Sequence, residues 1–514
     1  MCAPGGRRLA YHRRQLASRL AIFAGAFFLG SGFLGLGLTP SALAISVVPP
    51  GSTAFDGAHS CACVGTCTCG FCSHYAGGIH NHGSTGTGSP GSGAVGSSAF
   101  TFNDNSRWSA TATDGGGLGQ GDPTTLTWSF LPDGTAISNQ GVPGESSDPS
   151  SLIATLDNNF NVPVVDRISD LTQRPWFTVF ESSFNRFAEL SGLSYRYEPN
   201  DDGNANGGIN NTSFPFGQTN VRGDVRIGGH SIDGGSGPNV LAYNYFPEHG
   251  DMVLDTDNTS QFSSNNLRFR NIVMHEHGHG LGFAHVEPVT QTKLMEPFLS
   301  VQFEGPQIDD IQALHRGYGD FFEKSNSGQG NETFALATPL GIVSDSTTSI
   351  GADGGETGSA FEVFPGETDF ISIDDNSDID FLSFTLTSLS RVDLTLTPVG
   401  GSYASRPQDG NNNNNGDNTP IIDFTARSDL RFSLFDTDGT TPIGGVVNNG
   451  GLGDAESLTS LMLGPGTYFT EIRGAANTVQ LYQFDVSAIS VPEPTTLVLG
   501  MLAFAAIAYR RPRA

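Results

Sequence analysis

His275-Glu276-His277-Gly278-His279-Gly280-Leu281-Gly282-Phe283-Ala284-His285 is the stretch that decides how this chain is read. On a helix, residues four apart share a face, so His275 and His279 can point at one metal ion. Glu276 sits beside the first of them and reaches a water at the metal rather than the metal itself. His277 faces away from the pair. Gly282 lies where the helix must stop, since glycine enters the left-handed conformation without steric penalty. The chain can then turn and bring in His285 as a third ligand. Three neutral imidazoles leave the double positive charge of a zinc ion largely intact and one coordination position open. In such a centre the metal lowers the pKa of water and polarises a carbonyl, while Glu276 moves the proton.

Working outward, periodicity places the motif in a mixed domain. Residues 124–130 read as a strand. Pro175 opens a helix whose Phe177, Phe180, Phe184 and Phe187 form one apolar face, and Gly192 ends it before a strand over 193–197. Residues 271–284 form the active-site helix. The predicted fold for residues 106–324 is therefore α+β, a mixed twisted sheet carrying that helix. From residue 325 to 490 helical periodicity disappears. Stretches starting at Asp380, Arg391, Asp429 and Gln480 alternate at period two between Gly, Asn and Asp turns, which predicts an all-β sandwich. The asparagine run 411–415 reads as a solvated loop.

With its glycine and third histidine the motif resembles that of the metzincin zinc peptidases, and its surroundings resemble the matrixin branch. Leu294-Met295-Glu296-Pro297 stands where matrixins have their Met-turn, with Met295 beneath the metal. Gln307-Ile308-Asp309-Asp310 through Tyr318-Gly319 is similar to their last helix. Asp233-Gly234-Gly235, Leu241-Ala242-Tyr243-Asn244 and Phe246-Pro247 are similar to the loop before the active-site helix. The resemblance implies one catalytic zinc on His275, His279 and His285, Glu276 as general base, and protein or peptide substrates.

Departures are equally specific. Val286 follows the third histidine where matrixins carry Ser or Thr. Tyr243 and Val253 replace two histidines that hold a second, structural zinc in that family, and the remaining His230 reads as a surface residue. Asp233, Asp255 and Asp257 remain, and hard oxygen ligands suit a structural calcium ion. The β region resembles the bacterial pre-peptidase C-terminal domain, through Asn331-Glu332-Thr333, Asp378-Ile379-Asp380-Phe381 and Gly464-Pro465-Gly466-Thr467-Tyr468.

Both termini look like addresses. Arg7, Arg8, Arg13, Arg14 and Arg19 precede an apolar run over 20–38, and Ser41-Ala42-Leu43-Ala44 offers a signal-peptidase site, which predicts a signal peptide over 1–44. The Arg13-Arg14 pair is also compatible with twin-arginine export. Val491-Pro492-Glu493-Pro494, a short apolar stretch and Arg510, Arg511 and Arg513 resemble the bacterial PEP-CTERM sorting signal over 491–514. That resemblance implies transient membrane association, processing by an exosortase, and release to the cell surface or extracellular matrix.

Between signal and catalytic region, residues 45–105 comprise a Cys/His-rich segment and a Gly/Ser linker. Cys61 to Cys72 admits three readings: a thiolate capping the catalytic metal, disulfides, or a separate metal site. Asp and Glu outnumber Lys and Arg by 52 to 25 over 514 residues, a net charge of −27. Such a chain is repelled by nucleic acid. The rival to a secreted endopeptidase is a non-catalytic surface or matrix protein that keeps the fold. Glu276 speaks against it, because a retired site has no use for a general base.

Overall fold

The computed structural model describes residues 59–63 and 106–491, apart from 138–143, 205–215, 235–239, 263–265, 287, 289–291, 297–298, 355–361 and 405–420. The predicted signal peptide, most of the Cys/His-rich segment, the asparagine run and the PEP-CTERM segment after Val491 lie outside the described residues. No helix among the described residues is long and apolar enough to cross a membrane.

A six-stranded mixed sheet organises the N-terminal domain. Its strands are β1 (His59–Cys63), β2 (Thr124–Phe130), β3 (Leu193–Tyr197), β4 (Val225–His230), β5 (Val240–Tyr245) and β6 (Met252–Asp255). The spatial order is β1-β5-β6-β4-β2-β3. β2, β3, β4 and β6 run parallel; β5 is antiparallel to β6, and β1 pairs antiparallel along the outer edge of β5. Parallel strands bury both faces, and β4, β5 and β6 are buried at every residue.

Helices cover this sheet. α1 (Leu152–Asn159) has weak amphipathic patterning and no side-chain cap, so periodicity did not announce it. α2 (Phe177–Leu190) turns Phe177, Phe180, Phe184 and Phe187 inward, as their spacing predicts. Phe177 and Phe184 pack on Trp128 with centroids 5.1 and 5.0 Å away, and Phe180 meets Phe130 edge-on at 4.9 Å. Gly192 does not end α2 by a left-handed turn; Ser191 is the cap, in extended conformation. Glycine is needed at 192 for proximity, since a Cβ there would stand 2.1 Å from the Tyr318 carbonyl oxygen. The third helix, α3 (Asn266–Gly280), starts five residues earlier than its pattern suggested and stops four sooner. α4 (Ile308–Tyr318) is opened by a capping box between Gln307 and Asp310.

The C-terminal half is the expected β-sandwich. One sheet comprises β8 (Ser346–Ile350), β9 (Ile371–Ile373), β11 (Ser390–Pro398), β15 (Glu456–Leu463) and β17 (Gln480–Ser490). The other comprises β7 (Thr338–Ile342), β10 (Ile379–Leu386), β14 (Leu430–Phe435) and β16 (Gly466–Gly474), and a small hairpin joins β12 (Ser402–Ala404) to β13 (Ile421–Asp423). Alternate residues of β10, β11 and β14, among them Leu382, Phe384, Val392, Leu394, Leu430 and Phe432, fill the space between the sheets. A second face of the sandwich, with Val363, Phe370, Val399, Tyr403, Phe424 and Leu481, belongs to the same apolar core as the N-terminal domain. The two halves are therefore fused along a buried surface.

Candidate metal centre

Backbone chemistry at the end of α3 builds the centre. Past Gly280 the chain closes in a Schellman arrangement: Phe283 N–H donates to Gly278 O at 2.9 Å and Gly282 N–H to His279 O at 2.9 Å. Gly282 has φ of 103°, and a Cβ on it would fall 1.6 Å from Ser106 O. Two distant side chains satisfy carbonyls left over at the helix end. The Trp108 indole donates to Gly280 O at 2.7 Å and the Tyr318 hydroxyl to Leu281 O at 2.8 Å.

This turn brings the three predicted ligands together. The Nε2 atoms lie 3.2 Å apart for His275–His279, 3.2 Å for His279–His285 and 3.3 Å for His285–His275. Three nitrogens about 2.0–2.1 Å from one tetrahedral zinc sit about 3.3–3.4 Å from one another. The triangle therefore fits that ion and leaves a fourth position. Nδ1 of His275 lies 2.7 Å from Leu294 O, and Nδ1 of His279 lies 2.6 Å from Phe283 O. Those carbonyls accept the Nδ1 protons, which turns both Nε2 lone pairs inward. Burial pushes the His275 imidazole down to about 4. Burial, and then the charges of His285 and His275, hold His279 well below its ordinary range. Neutral imidazole is the form that binds metal.

Glu276 is fully buried next to His275 in the chain. His277 points the other way, as expected, but it is a core residue. Its Nε2 lies 2.6 Å from the Tyr195 hydroxyl and its ring meets Phe184 edge-on at 4.7 Å. Met295 is buried against the motif: a Cβ at position 278 would stand 2.3 Å from its Sδ. Gly278, which sequence reasoning passed over, is thus the glycine that admits Met295. Val286 N–H donates to Met295 O at 3.0 Å, tying the loop that carries His285 to the turn at Met295. Asp310 holds that turn from α4, accepting Leu294 N–H at 3.1 Å, Met295 N–H at 3.3 Å and Gln307 N–H at 2.7 Å. Neighbouring Asp309 accepts from the Tyr403 hydroxyl of the sandwich at 3.1 Å. Neither aspartate role was legible from spacing.

His230 is a correction. It is only 1% exposed, with Nδ1 3.0 Å from Asp148 O and Nε2 3.2 Å from Glu145, which also accepts from the Tyr243 hydroxyl at 3.0 Å. A Tyr–Glu–His cluster therefore includes Tyr243, one of the two positions where a histidine was missing. Asp233, Asp255 and Asp257 lie near one another, yet their carboxylates are engaged with the chain. Asp233 accepts Val240 N–H at 3.0 Å, Asp255 accepts Ile232 N–H at 3.0 Å, and Asp257 accepts from the Ser231 hydroxyl. Among the described residues, the carboxylates that do converge belong to Glu323, Asp378 and Asp380.

Residues 158–319 match the family model of the matrixins. That span holds the three histidines, Glu276, Met295 and Asp310, and the match supports a zinc metallopeptidase. No curated protein matches the chain. Among solved structures, the pre-peptidase C-terminal domain of a collagenase from Bacillus anthracis is similar at 10% identity and a TM-score of 0.16, covering 30% of this chain and 93% of that one.

Proposed function

We propose that the chain is an exported zinc-dependent endopeptidase. The observation that carries the reading is the triangle of Nε2 atoms, closed to 3.2–3.3 Å beside a buried glutamate that is not one of its members. His275, His279 and His285 would hold the zinc, whose Lewis acidity would activate a water and polarise a scissile carbonyl. Glu276 accepts the proton of the attacking water and returns it to the leaving amine. The Leu294 and Phe283 carbonyls keep the imidazoles in one tautomer and orientation through the cycle. Met295 packs against Gly278 on the helix that carries His275 and His279.

Glu276→Gln is the decisive variant. Hydrolysis of an unfolded protein should fall by about 10²–10⁴-fold, while zinc content measured by atomic emission stays at one per chain. Near-normal turnover would remove Glu276 from the mechanism. Export through residues 1–44 and sorting through 491–514 belong to the same proposal. Their test is the mass of mature protein from the native host, which should lack both segments. A structural calcium at Asp233, Asp255 and Asp257 belongs to the same proposal; elemental analysis should find that ion in the isolated protein, and its absence would remove it.

A further inference from the structure

The turn at Met295 meets the C-terminal half through buried side chains: Lys293, Glu296, Gln307, Asp309, Asp310 and Tyr403. Gln307, Asp309 and Asp310 stand at the opening of α4. Gln307 exchanges two hydrogen bonds with the backbone of Val363, accepting its N–H at 3.0 Å and donating from Nε2 to its carbonyl at 3.3 Å. Asp309 accepts from the hydroxyl of Tyr403 on β12 at 3.1 Å. The Tyr403 ring also lies under Lys293, whose ammonium stands 5.0 Å from the ring centroid. Lys293 N–H donates to Glu296 Oε1 at 2.9 Å across the turn. The C-terminal half thus holds both the first turn of α4 and the residue before Leu294.

From there the path to the metal ligands is short. Asp310 accepts the N–H groups of Leu294, Met295 and Gln307. The peptide that joins Leu294 to Met295 is committed at both ends, its N–H to Asp310 at 3.3 Å and its carbonyl to His275 Nδ1 at 2.7 Å. A shift of α4 therefore shifts the acceptor that sets the His275 ring. Burial, and then the charge of Asp310, pushes Asp309 well above the ordinary carboxylate range. Lys293, the Tyr403 hydroxyl and Arg427 oppose that push, and the last two come from the C-terminal half. A buried carboxylate beside another one needs such donors to keep its place.

We propose that Tyr403 is a positioning residue of the metal centre. Its hydroxyl fixes Asp309 and its ring seats Lys293. α4 carries that constraint through Asp310 and the Leu294–Met295 peptide to the imidazole of His275. This role rests on the reading of the three histidines as a zinc centre. It makes the β-sandwich part of the scaffold that orients the ligands, although the sequence reads as two domains. Groups hydrogen-bonded to a metal-binding histidine raise metal affinity by holding its ring in one orientation. Tyr403 stands behind such a group, so its effect is smaller but of the same kind. A packing contact alone would stabilise the fold and leave the metal untouched.

Tyr403→Phe keeps the ring under Lys293 and removes the hydroxyl alone. In the full chain, at a temperature where circular dichroism shows the variant folded, zinc should bind about 3- to 10-fold more weakly by chelator competition. With cobalt in place of zinc, the visible absorption bands of the three-histidine site should shift as the His275 ring reorients. Asp309→Ala should weaken zinc at least as much, and adding Tyr403→Phe to it should weaken zinc no further, since both break one hydrogen bond. Parental zinc affinity and an unchanged cobalt spectrum in Tyr403→Phe would reduce the tyrosine to a packing contact and overturn the assignment. Fully additive losses in the double variant would also overturn it, because the hydroxyl would then act by a route other than Asp309. Should Asp309→Ala fail to fold, Asp309→Asn takes its place, and its amide oxygen can still accept the hydroxyl. That variant should hold zinc nearly as the parent does, and a loss equal to that of Tyr403→Phe would assign the effect to charge and not to the hydrogen bond. No readout here uses a peptide, so failure of this assignment is told apart from failure of the endopeptidase reading.

Discussion

At the scale of single residues, the centre depends on atoms that are missing as much as on those present. Gly282 was legible in the sequence because a helix that must turn back needs a positive φ, and its φ of 103° bears this out. Gly278 was not legible: it lies within the helix, where glycine is merely unfavourable, and its purpose appears only once Met295 is seen beneath it. Gly278→Ala would place a Cβ 2.3 Å from Met295 Sδ and 3.0 Å from its Cε. The expected cost is about 1–3 kcal/mol of stability, read by thermal unfolding of the zinc-loaded protein, with a parallel loss of turnover. An unchanged unfolding temperature would mean that Met295 has another place to go. His277 teaches the converse lesson. A histidine inside a metal motif is neither ligand nor bystander here but a neutral core residue, and burial pushes it down to about 3.

At the scale of elements, the Met-turn is held by α4 rather than by its own sequence. Three backbone N–H groups converge on the Asp310 carboxylate, and one of the same peptides, through Leu294 O, orients His275. Asp310→Ala should therefore cost about 2–4 kcal/mol and also weaken zinc by about 10-fold, measured by chelator competition. Destabilisation with unchanged zinc affinity would confine Asp310 to a structural role. The outer edge of β5 is the other element with a consequence. β1 pairs there from His59↔Tyr245 to Cys63↔Val240, and the open edge of a sheet is where an extended peptide adds as a strand. A tethered strand competes with substrate at high effective concentration. A chain beginning near Ser98 should hydrolyse an unfolded protein roughly 3- to 10-fold faster, and an equal rate would show that β1 does not guard the edge. Period-two patterning could not reveal this pairing, because five residues in a Cys/His-rich segment carry no periodic signal.

At the scale of the whole molecule, two halves that read as separate domains share one apolar core and one acidic junction. That junction has a pH signature. Burial, reinforced by neighbouring charges, pushes Asp374 and Glu332 up to about 7 and Glu323 to about 10, and burial against the hydrogen bonds of Tyr482 and Asn331 puts Asp380 at about 6. Asp320, Asp375, Arg316 and Arg473 are other charged groups acting on them. Unfolded, such carboxylates titrate near 4. A carboxylate whose folded value is raised costs stability when ionised, so the protein should gain stability as pH falls from about 7 toward about 4. Its unfolding temperature should be roughly 3 °C higher near pH 5.5 than near pH 7.5. A protein most stable at the higher pH would contradict the buried cluster. By itself the amino-acid order determined that His275, His279 and His285 come together beside Glu276, the turn that brings them there, the strand over 124–130, the aromatic face of α2 and the β character of the C-terminal half. All of these are local: a four-residue spacing, a two-residue alternation or a glycine at a helix end carries its meaning within a dozen residues. Only the tertiary structure decided the Asp310 anchor, the Tyr403–Asp309 bridge, the His230–Glu145–Tyr243 cluster and the carboxylates of Glu323, Asp378 and Asp380. These pairs stand tens to more than ninety residues apart, and what brings them together is burial of a shared core, a property no window of sequence contains.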